Sequence, residues 1–458
     1  VYAEHPLTEI LLWGYAIDKE PAKVWDLTAE REMPEDLKAA WAKVFSDPTT
    51  KVIMHNGMMF DRLVLKGKGW GAIPPAQVVD TMVQAYECAL PGSLGELCRV
   101  LRLPQDKSKD KEGRDLVHLF CKPLGKNRKL DRETRHTSPE KWAKFVNYCR
   151  LDVESMREVL RRLPHWNYTS LEVRNQALDA KINDRGMLMD LDLARGAVKT
   201  AEEVKAKLAS EFCDLTGGRV RTPSCNAALA SYITEQGFPM DSVDKDAVTA
   251  ALADEYLPAN LRRILEIKQM ASKSSAAKFT TLIDSVSEDG RLRGALQFRG
   301  ASRTGRFAGR RFQAQNLPRP SMTCEEIEEA IELCKHDLLS SMYEDPMKVL
   351  TNLLRGEIIV PDGKKMIVAD YSNVEGRVLA WLAGAQWKLD AFRAYDKGEG
   401  PDLYKLAYSR AFGMKPEQVT KAQRQVGKVL ELGLGYGGGV GAFVKFAPAY
   451  GVDLHEMY

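Results

Sequence analysis

Apolar positions near the start of the chain fall in short runs, and further along they recur at helical spacing. Ile10 to Ile17 reads as a strand, Glu35 to Phe45 as a short helix, and Lys51 to Met54 as a second strand. Tyr148 to Asp152 lies on a helical stretch, which sets Tyr148 and Asp152 one turn apart on one face. Asp192 to Leu215 is predicted as a helix closed by Gly217-Gly218, and Leu261 to Val286 as another closed near Gly290. Thr323-Cys324-Glu325-Glu326 has the form of a capping box, with an amphipathic helix running on to Ser340. Met366 to Ala369 reads as a buried strand with the carboxylate of Asp370 where it runs out. Gln105 to Arg135 is rich in Lys and Arg with little apolar periodicity and reads as a long basic loop. Pro164 to Tyr168 reads as a hinge.

Some of these places can carry chemistry. An acidic group at a strand end is suited to Mg²⁺, which takes one or two carboxylates and fills its other positions with water and phosphate oxygens. The bland reading of Asp370-Tyr371-Ser372 is a polar turn after a strand. Arg424, Lys428, Leu432 and Tyr436 recur every four residues, so a helix would present two cations followed by an aromatic in one row. Such a row suits a triphosphate at one end and a base at the other; alternatively it is a solvated basic face. From Arg291 to Arg311 there are seven Arg and no Asp or Glu, which predicts a surface facing solvent or a polyanion, because unpaired charges are costly to bury. Ala271 to Lys278 mixes small residues with Lys273 and Lys278, which suits close packing and phosphate contact.

Three motifs occur in order. Asp370-Tyr371-Ser372-Asn373-Val374-Glu375-Gly376-Arg377 resembles motif A of the family A DNA polymerases. Val419-Thr420, Gln423-Arg424, Lys428 and Tyr436-Gly437 resemble motif B at the family's spacing. Thr304-Gly305-Arg306, followed by Gln315-Asn316-Leu317-Pro318, is similar to the family's TGR and QNxP pair. Upstream, His55 to Asp61 and Tyr148 to Asp152 resemble the second and third exonuclease motifs of the DEDD proofreading fold.

The resemblance implies an α/β multi-domain chain of phage type: an RNase H-like 3′-5′ exonuclease domain followed by a right-hand polymerase domain. Residues 1–165 would be the exonuclease-like domain, 166–290 the thumb, 291–385 the first part of the palm with an inserted helix at 323–340, and 386–458 the fingers. It also implies roles. Asp370 and the carbonyl of Tyr371 would hold two Mg²⁺, with Mn²⁺ as substitute. Arg424 and Lys428 would bind the triphosphate, Lys428 protonating the leaving pyrophosphate. Leu432 and Tyr436 would line the nucleotide site, and Glu375 would crowd the sugar 2′ position. Arg306, Gln315, Asn316, Lys273, Lys278, Arg303 and Arg377 would meet DNA. Asp61 and Asp152 would be exonuclease metal ligands, Tyr148 would orient the water, and Asn56 and Phe60 would line that site. Primer-template DNA and deoxynucleoside triphosphates are the implied partners, with a processivity factor or helicase beside them. Arg355 stands where the family usually carries Arg.

This chain departs from the pattern in three places. The first exonuclease motif, an Asp-x-Glu, has no counterpart, and motif C is expected beyond Tyr458, so the chain reads as an internal portion of a longer polymerase. Leu432 replaces the usual Phe or Tyr, losing a ring face. Two other readings follow from these gaps: a catalytically silent DNA-binding fragment, and a 3′-5′ exonuclease alone. Composition changes little. The chain has 458 residues, 44% hydrophobic and 28% charged, and a net charge of +3, so any nucleic-acid surface is local. Eight Cys without a CxxC pair suggest reduced thiols, and the lack of a long apolar run or basic leader suggests the host-cell cytoplasm.

Overall fold

A computed structural model describes residues 2–104, 113–123, 132–271, 275–301, 304–435, 437–447 and 452. The chain forms two compact units, Val1–Lys364 and Lys365–Tyr458. The division falls inside the stretch 291–385 assigned above to the palm.

The first unit opens with an antiparallel pair, β1 (Leu12–Tyr15) and β2 (Lys23–Asp26), in which Trp13 faces Trp25. A parallel pair follows, β3 (Val52–Met54) and β4 (Val78–Asp80). Among the described residues these are two separate pairs rather than one sheet. Trp13, Trp25, Trp41 and Trp70 pack edge-on or tilted against one another. Two indoles keep their N–H groups satisfied: the buried Trp25 donates to the Glu30 carbonyl and the half-buried Trp41 to the Trp70 carbonyl, both at 2.8 Å. The long helix Pro139–Arg162 lies against β1 at Gly14, where a Cβ would come 2.9 Å from Val153 and 3.0 Å from the Cys149 sulfur. Glycine lets the two backbones approach at that point.

Of the expected basic loop at 105–135, residues 105–112 and 124–131 lie outside the described residues, and the described middle is a helix. This helix, Gly113–Cys121, has Leu116 and Phe120 buried against Trp142, Phe145 and Tyr148. Its apolar positions recur four residues apart, a signal that the surrounding Lys and Arg obscure.

The helix Leu191–Thr216 organises the rest of the unit. Asp190 caps its start by accepting from the Leu193 N–H at 3.0 Å, and Gly217 ends it at φ 57°. Leu193, Ala194, Ala197 and Ala201 enter a core with Phe279, Leu282, Leu339 and Leu350. Leu208 and Phe212 enter a second core with Leu229, Ile233, Leu261, Ile264 and Leu265. The expected long helix from Leu261 to Val286 is described as Ala259–Ala271 and Ser275–Ile283, and Val286 instead bridges to Leu292. The capping box at Thr323 is present, and its helix, Cys324–Lys335, ends five residues before Ser340. It packs on Leu191–Thr216 at Gly196, where a Cβ would lie 2.3 Å from the Cys334 carbonyl oxygen. A small sheet joins distant segments: β5 (Met187–Met189) lies between β6 (Arg291–Leu292) and a strand at Ile358–Ile359. Next to it, β7 (Leu296–Ala301) and β8 (Arg306–Gly309) form a hairpin.

In the second unit, Met366 to Ala369 is neither strand nor buried: Ile367 is 92% and Val368 82% exposed. A strand needs a neighbour to take its backbone groups, and among the described residues none pairs with this run. Helices Val374–Leu382, Gln386–Asp396, Leu403–Phe412 and Lys421–Gly435 follow. The last two pack at Gly427, where a Cβ would stand 2.0 Å from the Tyr404 carbonyl oxygen.

Candidate functional site

Within the second unit, the helix Lys421–Gly435 places Arg424, Lys428 and Leu432 on one half-buried face, as their spacing predicts. Arg424 is held by a residue absent from the sequence reading. Its Nε and Nη2 donate to Asp402 at 3.1 and 2.8 Å. Asp402 also caps the helix Leu403–Phe412 by accepting from the Tyr404 and Lys405 N–H groups. Burial pushes the Asp402 carboxyl up, but Arg424 and these N–H groups outweigh it and hold the carboxyl below its ordinary range. The Tyr404 ring faces both cations, with its centroid 5.1 Å from the Arg424 guanidinium and 5.9 Å from the Lys428 ammonium. Pro401-Asp402 before an apolar helix is the capping signal that could have revealed the carboxylate.

Further along that face, Leu432 and Glu375 line one cavity of about 330 Å³ with Val374, Val378, Leu379 and Glu431. Asp370 is exposed just before the helix bearing Glu375, and Tyr371 is 84% exposed. Arg377 is used internally: its Nη1 and Nη2 each donate to Asp396 at 2.7 Å, Nε donates to the Ser372 carbonyl, and the guanidinium lies 4.5 Å from the Phe392 ring centroid. Tyr436, Lys273 and Arg303 lie outside the described residues.

In the first unit, the arginine-rich stretch divides into two groups, which corrects the expectation that it lacks acidic partners. Arg293 forms a two-pronged pair with Asp289 at 2.7 and 2.6 Å, which pulls that carboxyl down to about 2. Arg299 pairs with Glu172, and Arg291 donates to the Gly186 carbonyl. These partners come from neighbouring sequence and from other elements, which a count confined to 291–311 cannot include. Arg306, Arg310 and Arg311 are exposed, and so are Gln315 and Asn316. Arg355 donates to the carbonyls of Leu317 and Pro318 at 2.8 and 2.9 Å, fixing the segment that carries Gln315-Asn316. Lys278 is half-buried.

Of the amino-terminal site residues, Asp61 and Asp152 both act on the thiol of Cys149. Burial, then Asp152, then Asp61 push its thiol up to about 12, against a hydrogen bond at Gly14. Asp61 opens the helix Asp61–Gly67 at a rim that is open to solvent yet has protein on its other sides. Loss of hydration and the charge of Asp80 push its carboxyl up to about 6. Asp80 went unnoticed in the sequence. It is fully buried at the end of β4 and accepts from the N–H groups of Asn56, Met58 and Met82 at 2.9–3.0 Å. It thereby shapes the loop that delivers Phe60 and Asp61, with Asn56 at φ 61°. Asp80 directly after Val78-Val79 and before a helix is its only sequence signal. Phe60 is 45% exposed and stacks on Tyr2 with centroids 5.6 Å apart. Tyr148 is buried beside Phe145, and its ring fills the space a Gly113 side chain would need.

Among the described residues no group of three or more His, Cys, Asp or Glu is placed to hold a metal. Two carboxylates near Cys149 and the single Asp370 nonetheless fit the chemistry of Mg²⁺, which draws its other ligands from water and phosphates.

Residues 231–447 match the profile of DNA polymerase family A. The DNA polymerase of Bacillus phage SP02 is 35% identical over 454 residues, 97% of this chain and 67% of that protein. DNA polymerase I of Aquifex aeolicus is 30% identical over 102 residues, 22% of this chain and 17% of that one. Among solved structures, the POL domain of Pol1 from M. smegmatis, in complex with DNA primer-template and dNTP, superposes with a TM-score of 0.54 at 19% identity, covering 97% of this chain and 68% of that one. That likeness concerns the fold, but the phage relative matches almost end to end: the chain belongs to the family A DNA polymerases.

Proposed function

We propose that this chain is the proofreading, thumb and nucleotide-binding portion of a phage replicative polymerase that adds deoxynucleotides to a primer 3′-hydroxyl on a template. Membership in family A supports the reaction class. The observation that carries the site assignment is the common face of Arg424, Lys428 and Leu432, with Leu432 and Glu375 lining one cavity.

In this reading Asp370 and the Tyr371 carbonyl hold the divalent cations. Bound Mg²⁺ would acidify the primer hydroxyl and neutralise charge on the α-phosphate. Lys428 meets the phosphates and gives a proton to the pyrophosphate oxygen that leaves. Arg424, oriented by Asp402, meets the outer phosphates as a fork of fixed direction. Leu432 packs against the nucleotide with an apolar surface but no ring face, Tyr436 is assigned to the same nucleotide by its motif, and Glu375 fills the space a 2′-hydroxyl would need. Arg306, Gln315 and Asn316 present exposed polar groups to the primer-template, with Arg355 fixing the backbone beneath. Lys273, Lys278, Arg303 and Arg377 complete the assigned DNA contacts, Arg377 after release from Asp396.

The amino-terminal part would trim mispaired 3′ ends. Asp61 and Asp152 would hold the cations there, Tyr148 the attacking water, and Asn56 with Phe60 the terminal nucleotide. A bound cation would offset the lost hydration, and secondarily the Asp80 charge, that raise the Asp61 carboxyl. A processivity factor or helicase would act beside this chain in the host cell.

The test is Asp370→Ala in the full-length protein, with duplex binding as the control. Mg²⁺-dependent primer extension should fall by more than about 100-fold while primer-template affinity stays within about twofold, because one charge-stabilising group is removed from the reacting centre. Extension retained in the variant refutes the metal role. Binding without extension in the unaltered full-length protein favours a silent DNA-binding protein.

A further inference from the structure

Arg299 sits in an irregularity of the β7–β8 hairpin. Gln297 pairs with Ala308 and the next pair is Ala301 with Arg306, so residues 298–300 oppose Phe307 alone. Within this bulge Arg299 takes φ 51°, a left-handed conformation unfavourable for a residue with a Cβ. A Gly300 side chain would come 2.6 Å from the Ala308 Cβ, so the bulge is tightly packed.

The Arg299 side chain reaches two carboxylates. Nε donates to Glu172 at 3.1 Å, and Nη2 lies 2.9 Å from the same oxygen. Glu87, with its side chain fully buried, stands 3.8 Å from the guanidinium, and neither of its oxygens has a hydrogen-bond partner. The guanidinium also lies close to Gly305, where an added Cβ would come 3.1 Å from Nη1. Gly305 is the centre of Thr304-Gly305-Arg306. A second tie runs alongside, as Gln297 donates to the Tyr86 hydroxyl at 3.1 Å.

Burial pushes the Glu87 carboxyl up to about 7, with Arg299 drawing it down and Glu172 adding to the rise, so Glu172 is the main ionic partner of the guanidinium. Such a cluster is weak as a source of stability, because an apolar set of the same volume would serve as well or better. It is strong as a source of direction, since a guanidinium gripped by fixed acceptors has one orientation. Strain in the backbone, charge without a stability gain, and closeness to Gly305 in a DNA-facing motif point the same way.

We infer that Arg299 is a positioning residue: held by Glu172, with Glu87 beside it, it fixes the approach of the backbone at Gly305 and so aims Arg306 at the primer-template. The inference rests on the proposed role of that hairpin in DNA binding.

The experiment measures primer-template affinity by fluorescence anisotropy, the nucleotide KM in extension by the full-length protein, and the thermal midpoint. Arg299→Met keeps the volume and removes the charge. It should weaken duplex binding roughly 5- to 10-fold with nucleotide KM unchanged, since one phosphate-directed contact is misaimed, and lower the thermal midpoint because Glu172 and Glu87 lose their cation. The exchanged pair Arg299→Glu with Glu172→Arg should restore affinity to within about twofold of the unaltered protein. Arg299→Met binding duplex normally overturns the inference, as does a folded exchanged pair that binds no better than Arg299→Glu alone. If the unaltered protein fails to bind primer-template at all, the proposed function falls first, and the two failures are thereby distinct.

Discussion

Glu357 is fully buried, and neither of its carboxylate oxygens has a hydrogen-bond partner. Burial, then the charge of Asp190, push its carboxyl up to about 9, with Lys335 acting the other way. The folded protein therefore holds this proton more tightly than the unfolded chain does. Its contribution to stability is complete below the ordinary glutamate range and declines as pH rises toward 9. Glu357→Gln removes the ionisation, so the variant should match the unaltered protein near pH 4 and exceed it by on the order of 2–4 kcal/mol at pH 8. Denaturant unfolding at the two pH values checks this; an equal difference at both would show that ionisation is not the cause. No pattern in the sequence marks Glu357, because the charged groups that face it, Asp190 and Lys335, come from distant parts of the chain. The same limit applies to Arg299, whose partner Glu172 lies 127 residues away. Asp402 differs from these, since its helix-capping position is a local signal. Arg424 and Lys428 were legible because the helical period alone decides which residues share a face.

At the scale of elements, the motif B helix owes its place to a glycine. Gly427 gives the Tyr404 carbonyl room to approach, and this crossing is what brings the Tyr404 ring beneath Arg424 and Lys428. Gly427→Ala must push the two helices apart, because the conflict is with backbone. The expected cost is about 2–4 kcal/mol of local stability, against a gain of up to about 1 kcal/mol in helix propensity. Gly433 on the same helix is the control: a Cβ there meets nothing closer than 3.9 Å. Hydrogen exchange should quicken across Leu403–Phe412 and Lys421–Gly435 in Gly427→Ala and stay unchanged or slow in Gly433→Ala. Equal effects of the two would mean that the helix crossing is not what matters. Helices were the readable part of this sequence, since caps and periodicity are written locally, and even the capping box at Thr323 is where the sequence predicts it. The run Met366 to Ala369 was misread for the complementary reason. Its apolar character suits a strand, but a strand exists only with a neighbour, and pairing is not a property of the run itself.

For the whole molecule, the consequential feature is the exposed passage between the two units. Residues 361–372 are exposed and lie in no helix or strand, and they contain Lys364 and Lys365, where the units meet in sequence. Backbone of this kind fits a protease active site, whereas Arg377 a few residues on is helical and held by Asp396. Limited trypsin treatment should therefore cut at Lys364 or Lys365 among its earliest sites, leaving each unit with its own core intact. Asp370 and Tyr371 lie in the same passage, so the proposed cation and nucleotide contacts would restrain it. Mg²⁺, primer-template and a matching deoxynucleotide together should slow cleavage at this place severalfold, and Asp370→Ala should abolish that protection while leaving cleavage of the free protein as fast as before. Mass spectrometry of the early fragments reads both outcomes. Protection that persists in Asp370→Ala would assign the restraint to other residues and remove Asp370 from the nucleotide site.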